Sequence, residues 1–567
     1  MTSEPKIIAS AKISAAQGSA ISSSSADKES AKPTSLLWTP LLAIAFAAFA
    51  VEIPFFFFGT PSGHDVEFHL YSWLEVLSQW KEGVLYPRWA SMANFGYGEP
   101  RFIFYPPASW TLGSIVSAIV PWRLASPVYI WIALVLAGAS MFVLSRRWLD
   151  RRDAIFAAVL YAVNPYHLVI VYWRSAFAEL LASCLLPLLL LLLLKAADGE
   201  RRILIPLSLI LAAAWLTNAP AAVMIHYSLA LLVLVLALQL RSPKLVWLAA
   251  GAVALGACLA AFYLLPAIYE QKWVTIGEAI SAGSRPQDNF LFIHTSDADH
   301  DAFNRMVSWI ALLEIAVTLT AMWAARKWTR MRPAARHAVF TWAVACTLLM
   351  FPVTALLWKF LPKLEFMQFP WRWLLCLSLL FSLFVTIALR RWWMRGSVCA
   401  VAIILIVLAW TRVQAPWWDN AGDLKEMQDN MTDQIGYEGT DEYTPVGTDP
   451  SAVDKDARKV TGDGTARAAI RVHQWNAEAR SFSADVSNSG RMALKLFPYP
   501  AWKVSDNGQA VHTEAREGTG QMLVPVDAGG NEVQIKFART WDRTLGDCIT
   551  LAGVIFVLFL KFRREQT

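Results

Sequence analysis

The stretch Leu180–Leu194 reads LLASCLLPLLLLLLL and is followed at once by Lys195. A second run of this kind, Val398–Trp410, contains no charged residue. Apolar stretches of about 20 residues match the thickness of the hydrocarbon core of a bilayer. Similar runs recur outward from these two along most of the chain. The sequence therefore predicts an all-α polytopic membrane protein.

The overall composition agrees with a membrane protein. Of the 567 residues, 56% are hydrophobic and 17% are charged, and the mean hydropathy is +0.40. Soluble domains carry about 25% charged residues. The 27 tryptophans suit the interfacial belts of membrane proteins. The net charge of +6 is modest and its basic residues cluster at span ends, which indicates orientation in a membrane rather than nucleic-acid binding.

The apolar runs divide the chain into four parts. Residues 1–35 are predicted to be a disordered cytoplasmic tail, and residues 36–412 a transmembrane domain. Residues 413–545 are predicted to be an extracytoplasmic β-rich domain, and residues 546–567 the last span and a cytoplasmic tail. About twelve spans are expected. They cover about residues 36–57, 127–144, 153–171, 175–194, 203–217, 220–240, 244–268, 306–325, 338–358, 372–389, 396–412 and 546–561.

Basic loops set the orientation of these spans. Arg146, Arg147, Arg151 and Arg152 form one such loop, and later basic loops recur after every second span. Placing all of them in the cytoplasm satisfies the positive-inside rule and puts both termini there. That orientation requires the apolar stretch 101–121 to be an interfacial or re-entrant helix. The stretch 67–82 is predicted to be a helix lying in the membrane plane or, alternatively, a core-facing helix of a small loop domain.

The soluble region 413–545 shows the alternation of apolar residues that is typical of strands. Phe482, Ala484 and Val486 form one such series, and Val533, Ile535 and Phe537 another. The turn residues Asp506-Asn507-Gly508 separate strand-like segments. A small β-sandwich without a catalytic motif is predicted.

The first outer loop, 58–126, is the most unusual segment and begins with Gly63-His64-Asp65-Val66-Glu67-Phe68-His69. Asp65 lies just beyond an apolar helix, where a carboxylate can act as a general base on an acceptor hydroxyl. His64 and His69 could tune Asp65 or join a metal site. The alternative is a solvated loop acid among ordinary polar residues.

Two further charged groups lie at predicted span ends. Arg174 stands at the outer end of one span and Glu179 one turn inside the next. Ionisable groups at that depth are costly, so Arg174 is predicted either to hold a phosphate or to pair with Glu179. Arg372 lies between Trp371 and Trp373 and could bind a lipid phosphate through its planar fork, or could be a snorkelling anchor.

The segments Gly63–Pro107, Phe369-Pro370-Trp371-Arg372 and Glu442-Tyr443-Thr444-Pro445 resemble landmarks of a bacterial membrane family labelled "6-pyruvoyl-tetrahydropterin synthase-related". No residue in them supports pterin chemistry. The family is similar to the GT-C glycosyltransferases, polytopic enzymes that use polyprenyl-phosphate sugars. The resemblance covers most of the chain except residues 1–35.

The resemblance implies a GT-C-like fold in a bacterial cytoplasmic (inner) membrane and a site at its outer face. Asp65 and Glu179 would be catalytic, and the substrate-binding residues would be His64, Glu67, His69, Arg88, Arg174 and Arg372. The Asp-X-Asp form common in GT-C proteins is absent, and Glu179 stands where Asp is more usual. A divalent metal held by Asp65 and Glu67 is therefore an open alternative.

The function expected from these residues is sugar transfer from a polyprenyl-phosphate donor to a polysaccharide, lipid or protein acceptor of the envelope. Glu314, near the middle of the eighth predicted span, favours a rival assignment as a transporter or flippase. A non-catalytic envelope assembly protein that binds polysaccharide through residues 413–545 is the second rival.

Overall fold

A computed structural model describes residues 35–200, 202–328, 330–413, 417–463 and 468–565. Apart from Ser35, at which the first helix Ser35–Glu52 begins, the predicted tail 1–35 lies outside the described residues.

The membrane-spanning helices form most of the molecule. Within the described residues, nine of them are long and apolar enough to cross a bilayer. They run over Trp38–Phe58, Trp122–Ser145, Arg151–Arg174, Phe177–Ala197, Ala219–Leu240, Ala298–Lys327, Pro370–Ala388, Trp392–Arg412 and Trp541–Arg563. The prediction of a polytopic helical membrane protein is confirmed.

The remaining three predicted spans have a different form. Lys244–Leu259 and Ala261–Trp273 make a pair bent by 78°, and Pro333–Leu349 and Pro352–Phe360 a pair bent by 96°. The second bend lies just before Pro352, where the proline ring disfavours helical geometry at the preceding residue. Leu204–Thr217 has 14 residues, about 21 Å of helix, and is shorter than a hydrocarbon core of about 30 Å. The described residues thus give nine to eleven candidate spans rather than twelve.

The loop 58–126 folds as two packed helices, Val66–Lys81 and Pro107–Ile119. The second has 13 residues and is too short to cross a bilayer at about 1.5 Å per residue, as expected for 101–121. A side chain at Gly113 would put its Cβ 2.0 Å from the Trp73 ring, so only glycine allows this contact. Ten of the 16 residues of the first helix are buried, which favours the core-facing alternative for 67–82.

The C-terminal region contains two antiparallel sheets that share a core including Phe482, Met492, Val524, Val533 and Ile535. One sheet has four strands, in the order Val460–Gly462, Gly490–Leu494, Met522–Val526 and Glu514–Ala515. The other has five strands, in the order Ala468–Trp475, Ala479–Val486, Gly529–Phe537, Trp502–Asp506 and Gln509–Val511. The last helix begins at Trp541, before the predicted residue 546, because its amphipathic first turns extend beyond the apolar run.

A joint ties this C-terminal region to the loop 58–126, and we define it by Tyr71, Glu99, Arg101, Tyr437 and Thr440. The Tyr437 ring stacks on the Tyr71 ring at 4.2 Å between centroids. Arg101 Nη2 donates to Thr440 Oγ1 at 3.2 Å, and the Thr440 amide donates to Glu99 Oε2 at 2.8 Å. The joint holds Thr440, and with it the nearby Glu442 and Tyr443, at the wall of a large cavity.

Candidate active site

A cavity of about 1560 Å³ lies where the loop 58–126, the spanning helices and the joint meet. Its wall combines polar groups with a broad apolar surface. The polar and aromatic residues on the wall include His64, Asp65, Tyr105, Asn218, His226, Asp297, Asp299, His300, Arg372, Glu442 and Tyr443. Its apolar lining includes Phe104, Val223, Val253, Leu264, Ile268 and Met306.

Asp65 reaches this wall because the start of the loop is clamped onto a break between two spans. The break is a π-helical segment, Ile170–Arg174, followed by Ser175 in the left-handed region with φ of 50°. Such segments occur frequently at functional sites. The Gly63 amide donates to Ser175 Oγ at 3.1 Å, and a Cβ at Gly63 would lie 2.6 Å from the Arg174 carbonyl carbon. The Asp65 amide donates to the Arg174 carbonyl oxygen at 2.9 Å.

A buried charged cluster lies directly behind Asp65. Arg174 Nη2 is 3.7 Å from Asp65 Oδ2, and Arg174 Nη1 donates to Glu179 Oε2 at 2.5 Å. Glu179 Oε2 also accepts from Arg372 Nε at 3.1 Å, and Glu179 Oε1 accepts from the Tyr166 hydroxyl at 2.5 Å. Glu179 is 1% exposed, whereas the Asp65 side chain is 40% exposed. The two acids therefore have different environments: one is enclosed by donors and the other opens onto the cavity.

Of the two arginines in this cluster, only Arg372 is among the residues described as lining the cavity. Its Nη1 donates to the Met367 carbonyl oxygen at 2.6 Å and to Gln368 Oε1 at 3.1 Å. The guanidinium also lies 4.7 Å from the centre of the Phe369 ring. Arg372 is only 6% exposed, so it is a buried, oriented donor and not a snorkelling anchor. For Arg174, the structure shows the pairing with Glu179 that the sequence left as one of two alternatives.

Besides Arg174 and Glu179, which lie behind the wall, three more of the predicted site residues do not line the cavity. Glu67 is exposed at the start of the helix Val66–Lys81. His69 is buried and stacks on Phe177 at 5.0 Å between ring centroids. Burial lowers the pKa of His69 to about 4, so this ring is neutral at pH 7. Arg88 stands over the Tyr86 ring at 4.3 Å and does not line the cavity.

His64 does line the cavity, with its ring 5.3 Å from that of Phe303. Desolvation lowers the pKa of His64, although the neighbouring Asp65 carboxylate pulls it in the opposite direction. Within the described ranges, no group of three or more His, Cys, Asp or Glu side chains is arranged to hold a metal ion. Asp65 and Glu67 do not share the cavity wall, and this pair does not fit a metal centre there.

Two further residues of the site, Glu442 and Tyr166, were not predicted from the sequence to be functional. Glu442 lines the cavity, and burial raises its pKa to about 7. The segment Glu442–Pro445 was noticeable only as part of the family resemblance. Tyr166 holds the second oxygen of Glu179, but a tyrosine in an apolar helix gives no sequence signal of such a contact.

A comparison with protein families matches residues 102–415, more than half of the chain, to the 6-pyruvoyl-tetrahydropterin synthase related domain, described as a membrane protein. The chain belongs to this family. The predicted family membership is thus confirmed. The matched residues include Arg174, Glu179 and Arg372. They do not include Asp65 or Glu442. Among curated proteins, none matches the sequence.

Two solved structures are reported as similar to this family member. ArnT from Cupriavidus metallidurans, bound to undecaprenyl phosphate, shares 13% identity over 71% of this chain and 64% of its own, with a TM-score of 0.42. The apo oligosaccharyltransferase of Archaeoglobus fulgidus shares 14% identity over 71% of this chain and 56% of its own, with a TM-score of 0.40. This chain thus covers less than two thirds of either protein. Both TM-scores are below 0.5, so the likeness is distant.

Proposed function

We propose that this protein is a membrane glycosyltransferase that transfers a sugar from a polyprenyl-phosphate-linked donor to an envelope acceptor at the outer face of the cytoplasmic membrane. One observation carries the proposal. A carboxylate, Asp65, and an oriented guanidinium, Arg372, share the wall of a large cavity that lies among spanning helices and also has a broad apolar surface. Such a cavity matches a ligand with a long hydrocarbon tail, one phosphate and one sugar.

The donor phosphate would bind at Arg372. A guanidinium has five N–H donors in a fixed fork and remains charged at any ordinary pH, which suits it to a phosphate. Glu179 and the Met367 carbonyl hold this fork before a ligand arrives. The polyprenyl chain would extend along the apolar lining, which includes Val223, Val253 and Leu264.

Asp65 would act as the general base. In this step the acceptor oxygen attacks the anomeric carbon of the sugar while Asp65 takes the proton of the acceptor hydroxyl. The bond between the anomeric carbon and the phosphate oxygen breaks, and the leaving polyprenyl phosphate keeps the electron pair. Arg372, with Arg174 behind it, would offset the charge that develops on that phosphate. No step in this scheme needs a metal ion.

Glu179 would position the cations and would not touch the substrate. Its two oxygens already accept from Arg174, Arg372 and Tyr166, and it is 1% exposed. This differs from the catalytic role that the family resemblance implied. The acceptor would bind on the side of the cavity formed by Glu442 and Tyr443, which the C-terminal region contributes.

The test is the variant Asp65→Asn in the full chain, purified and reconstituted in vesicles. We expect transfer of a labelled sugar from polyprenyl-phosphate donors to fall by about 10²–10⁴-fold, the usual contribution of a general base. Binding of undecaprenyl phosphate should change little, because Arg372 is intact.

The matched control is Glu278→Gln, which also replaces a carboxylate by an amide but at an exposed position off the cavity wall. It should keep wild-type transfer. Unchanged turnover in Asp65→Asn, with a folded protein by gel filtration, would refute Asp65 as the base.

A further inference from the structure

A second, smaller cavity of about 280 Å³ lies at the opposite end of the helical bundle. It is formed where four helix ends and their loops meet. Its lining is Arg147, Trp148, Leu194, Ala197, Asp198, Leu236, Leu240, Arg330, Arg332, Ala334 and Ala335. Glu179 and Asp198 stand at the two ends of the span Phe177–Ala197, roughly 28 Å apart at about 1.5 Å per residue. The helix Ala219–Leu240 reaches both walls: His226 lines the large cavity and Leu236 the smaller one, ten residues apart, which is about 15 Å of helix.

Three guanidinium groups converge on this pocket. Arg332 Nη1 is 2.7 Å from Asp198 Oδ1, and Arg147 Nη2 contacts the other oxygen of the same carboxylate. Arg330 Nη1 donates to the Trp148 carbonyl oxygen at 3.0 Å. Asp198 therefore holds two of the cations in place and is the single acid of the lining among the residues that the structure describes.

The charges of the lining do not balance. Three arginines carry three positive charges, and Asp198 supplies one negative charge. Two nearby acids lie outside the lining: Asp150 is 3.7 Å from Arg330, and the charge of Glu200 acts on Arg147. Their side chains are 81% and 49% exposed, so water screens both interactions. Each guanidinium has five N–H donors, whereas one carboxylate offers about four acceptor positions. The lining therefore has the charge and the donor surplus that a phosphate would satisfy.

The floor of the pocket is apolar, which distinguishes it from a solvated basic loop. Leu194 and Leu236 are 2% and 1% exposed, and Trp148 is 8% exposed. The rim is polar, since the side chains of Arg330 and Arg332 are 57% and 71% exposed. A free phosphate would contact the rim alone, but a phospholipid would also fill the floor with its glycerol and first acyl carbons.

We propose that this pocket binds the phosphate headgroup of an anionic phospholipid. Basic pockets between spanning helices bind such headgroups because attraction by the guanidiniums adds to burial of the chains. The site is separate from the proposed active site and does not depend on its chemistry.

The test compares lipid binding by the wild-type full chain and by the double variant Arg330→Gln, Arg332→Gln. Native mass spectrometry in detergent would titrate phosphatidylglycerol, phosphatidylcholine and inorganic phosphate separately. We expect the wild type to bind phosphatidylglycerol in preference to phosphatidylcholine, and the variant to bind it roughly 10- to 30-fold more weakly. A parallel variant, Arg330→Lys, Arg332→Lys, keeps the charge and should retain most of the binding even if the glutamine variant folds poorly.

The matched control is Arg390→Gln, Arg391→Gln, which removes two exposed arginines from another basic loop, outside the pocket. Its affinity for phosphatidylglycerol should equal that of the wild type. Equal losses in both double variants would overturn the proposal, since general surface charge would then explain the binding. Saturation by inorganic phosphate with no preference among the lipids would overturn it as well.

Discussion

Two of the buried arginine–glutamate clusters among the described residues have the same chemistry but different surroundings. In the joint, Arg101 Nε is 2.7 Å from Glu99 Oε1, and Arg101 also donates to Ser72 and Thr440. Its guanidinium lies between the rings of Phe68 and Tyr437, at 4.4 and 5.1 Å from their centroids. In the second cluster Glu179 binds two arginines, and one of these, Arg372, lies on the wall of the large cavity.

The difference shows that a buried ion pair does not by itself identify a functional site. In the joint, Arg101 is buried and its contacts are all with other protein groups. This arrangement suits the joint to hold two regions of the chain together. The Glu179 cluster has the same burial, but one of its cations faces a space large enough for a lipid-linked sugar. Access to a cavity, and not charge or burial, separates the two roles.

The largest effect is expected from breaking the joint with Arg101→Met. This change leaves Glu99 buried without its cation, which costs about 3–5 kcal/mol in the free energy of unfolding. Urea unfolding in detergent micelles would measure it. The control is the double variant Glu99→Gln, Arg101→Met, which should recover most of that loss. A single variant as stable as the wild type would show that the joint does not depend on this pair.

A smaller effect, on activity, is expected from Glu179→Gln in the second cluster. The amide keeps one acceptor but removes the charge that orients Arg174 and Arg372, and misplacement by about 1 Å can cost a hundredfold in rate. The KM for the donor should rise. Glu179→Asp keeps the charge and should restore most of the transfer. If the glutamine and aspartate variants lose activity equally, orientation by charge is not the role of Glu179.

The smallest effect is expected where the two regions meet, at Glu442. Burial raises its pKa from 4.5 to about 7, so between these pH values the native state binds more protons than the unfolded state. The free energy of unfolding therefore falls as pH rises through this window and levels off above pH 7. Glu442→Gln removes that pH dependence. At pH 8 the free energy of unfolding of this variant should exceed that of the wild type by about 1–2 kcal/mol. Urea unfolding at pH 5 and pH 8 checks this.

Glu438→Gln provides the control for this pH dependence, because it makes the same change at an exposed position of the same segment. It should keep the wild-type profile. Parallel wild-type and Glu442→Gln curves between pH 4.5 and 7 would contradict the assignment.

Much of the architecture could be predicted from local sequence, because a bilayer imposes long apolar helices. The expectation that 101–121 does not cross the membrane came from the arginines at 146–152, and the helix found there is indeed short. The exact span count was not predictable, since hydropathy does not register the bends after Leu259 and Leu349. Glu314 is buried and accepts from Ser378 at 2.6 Å, but it does not line the large cavity.

The sequence by itself determined that the chain is a membrane protein with a strand-rich C-terminal region, because these properties depend on the period and length of apolar runs. It also indicated Asp65, Arg174, Glu179 and Arg372 as unusual charges at helix ends. Only the tertiary structure decided which of them face one cavity, because that depends on contacts between residues as distant as Glu179 and Arg372. The same holds for Glu442, which reaches the cavity only because the joint binds its segment to the first loop.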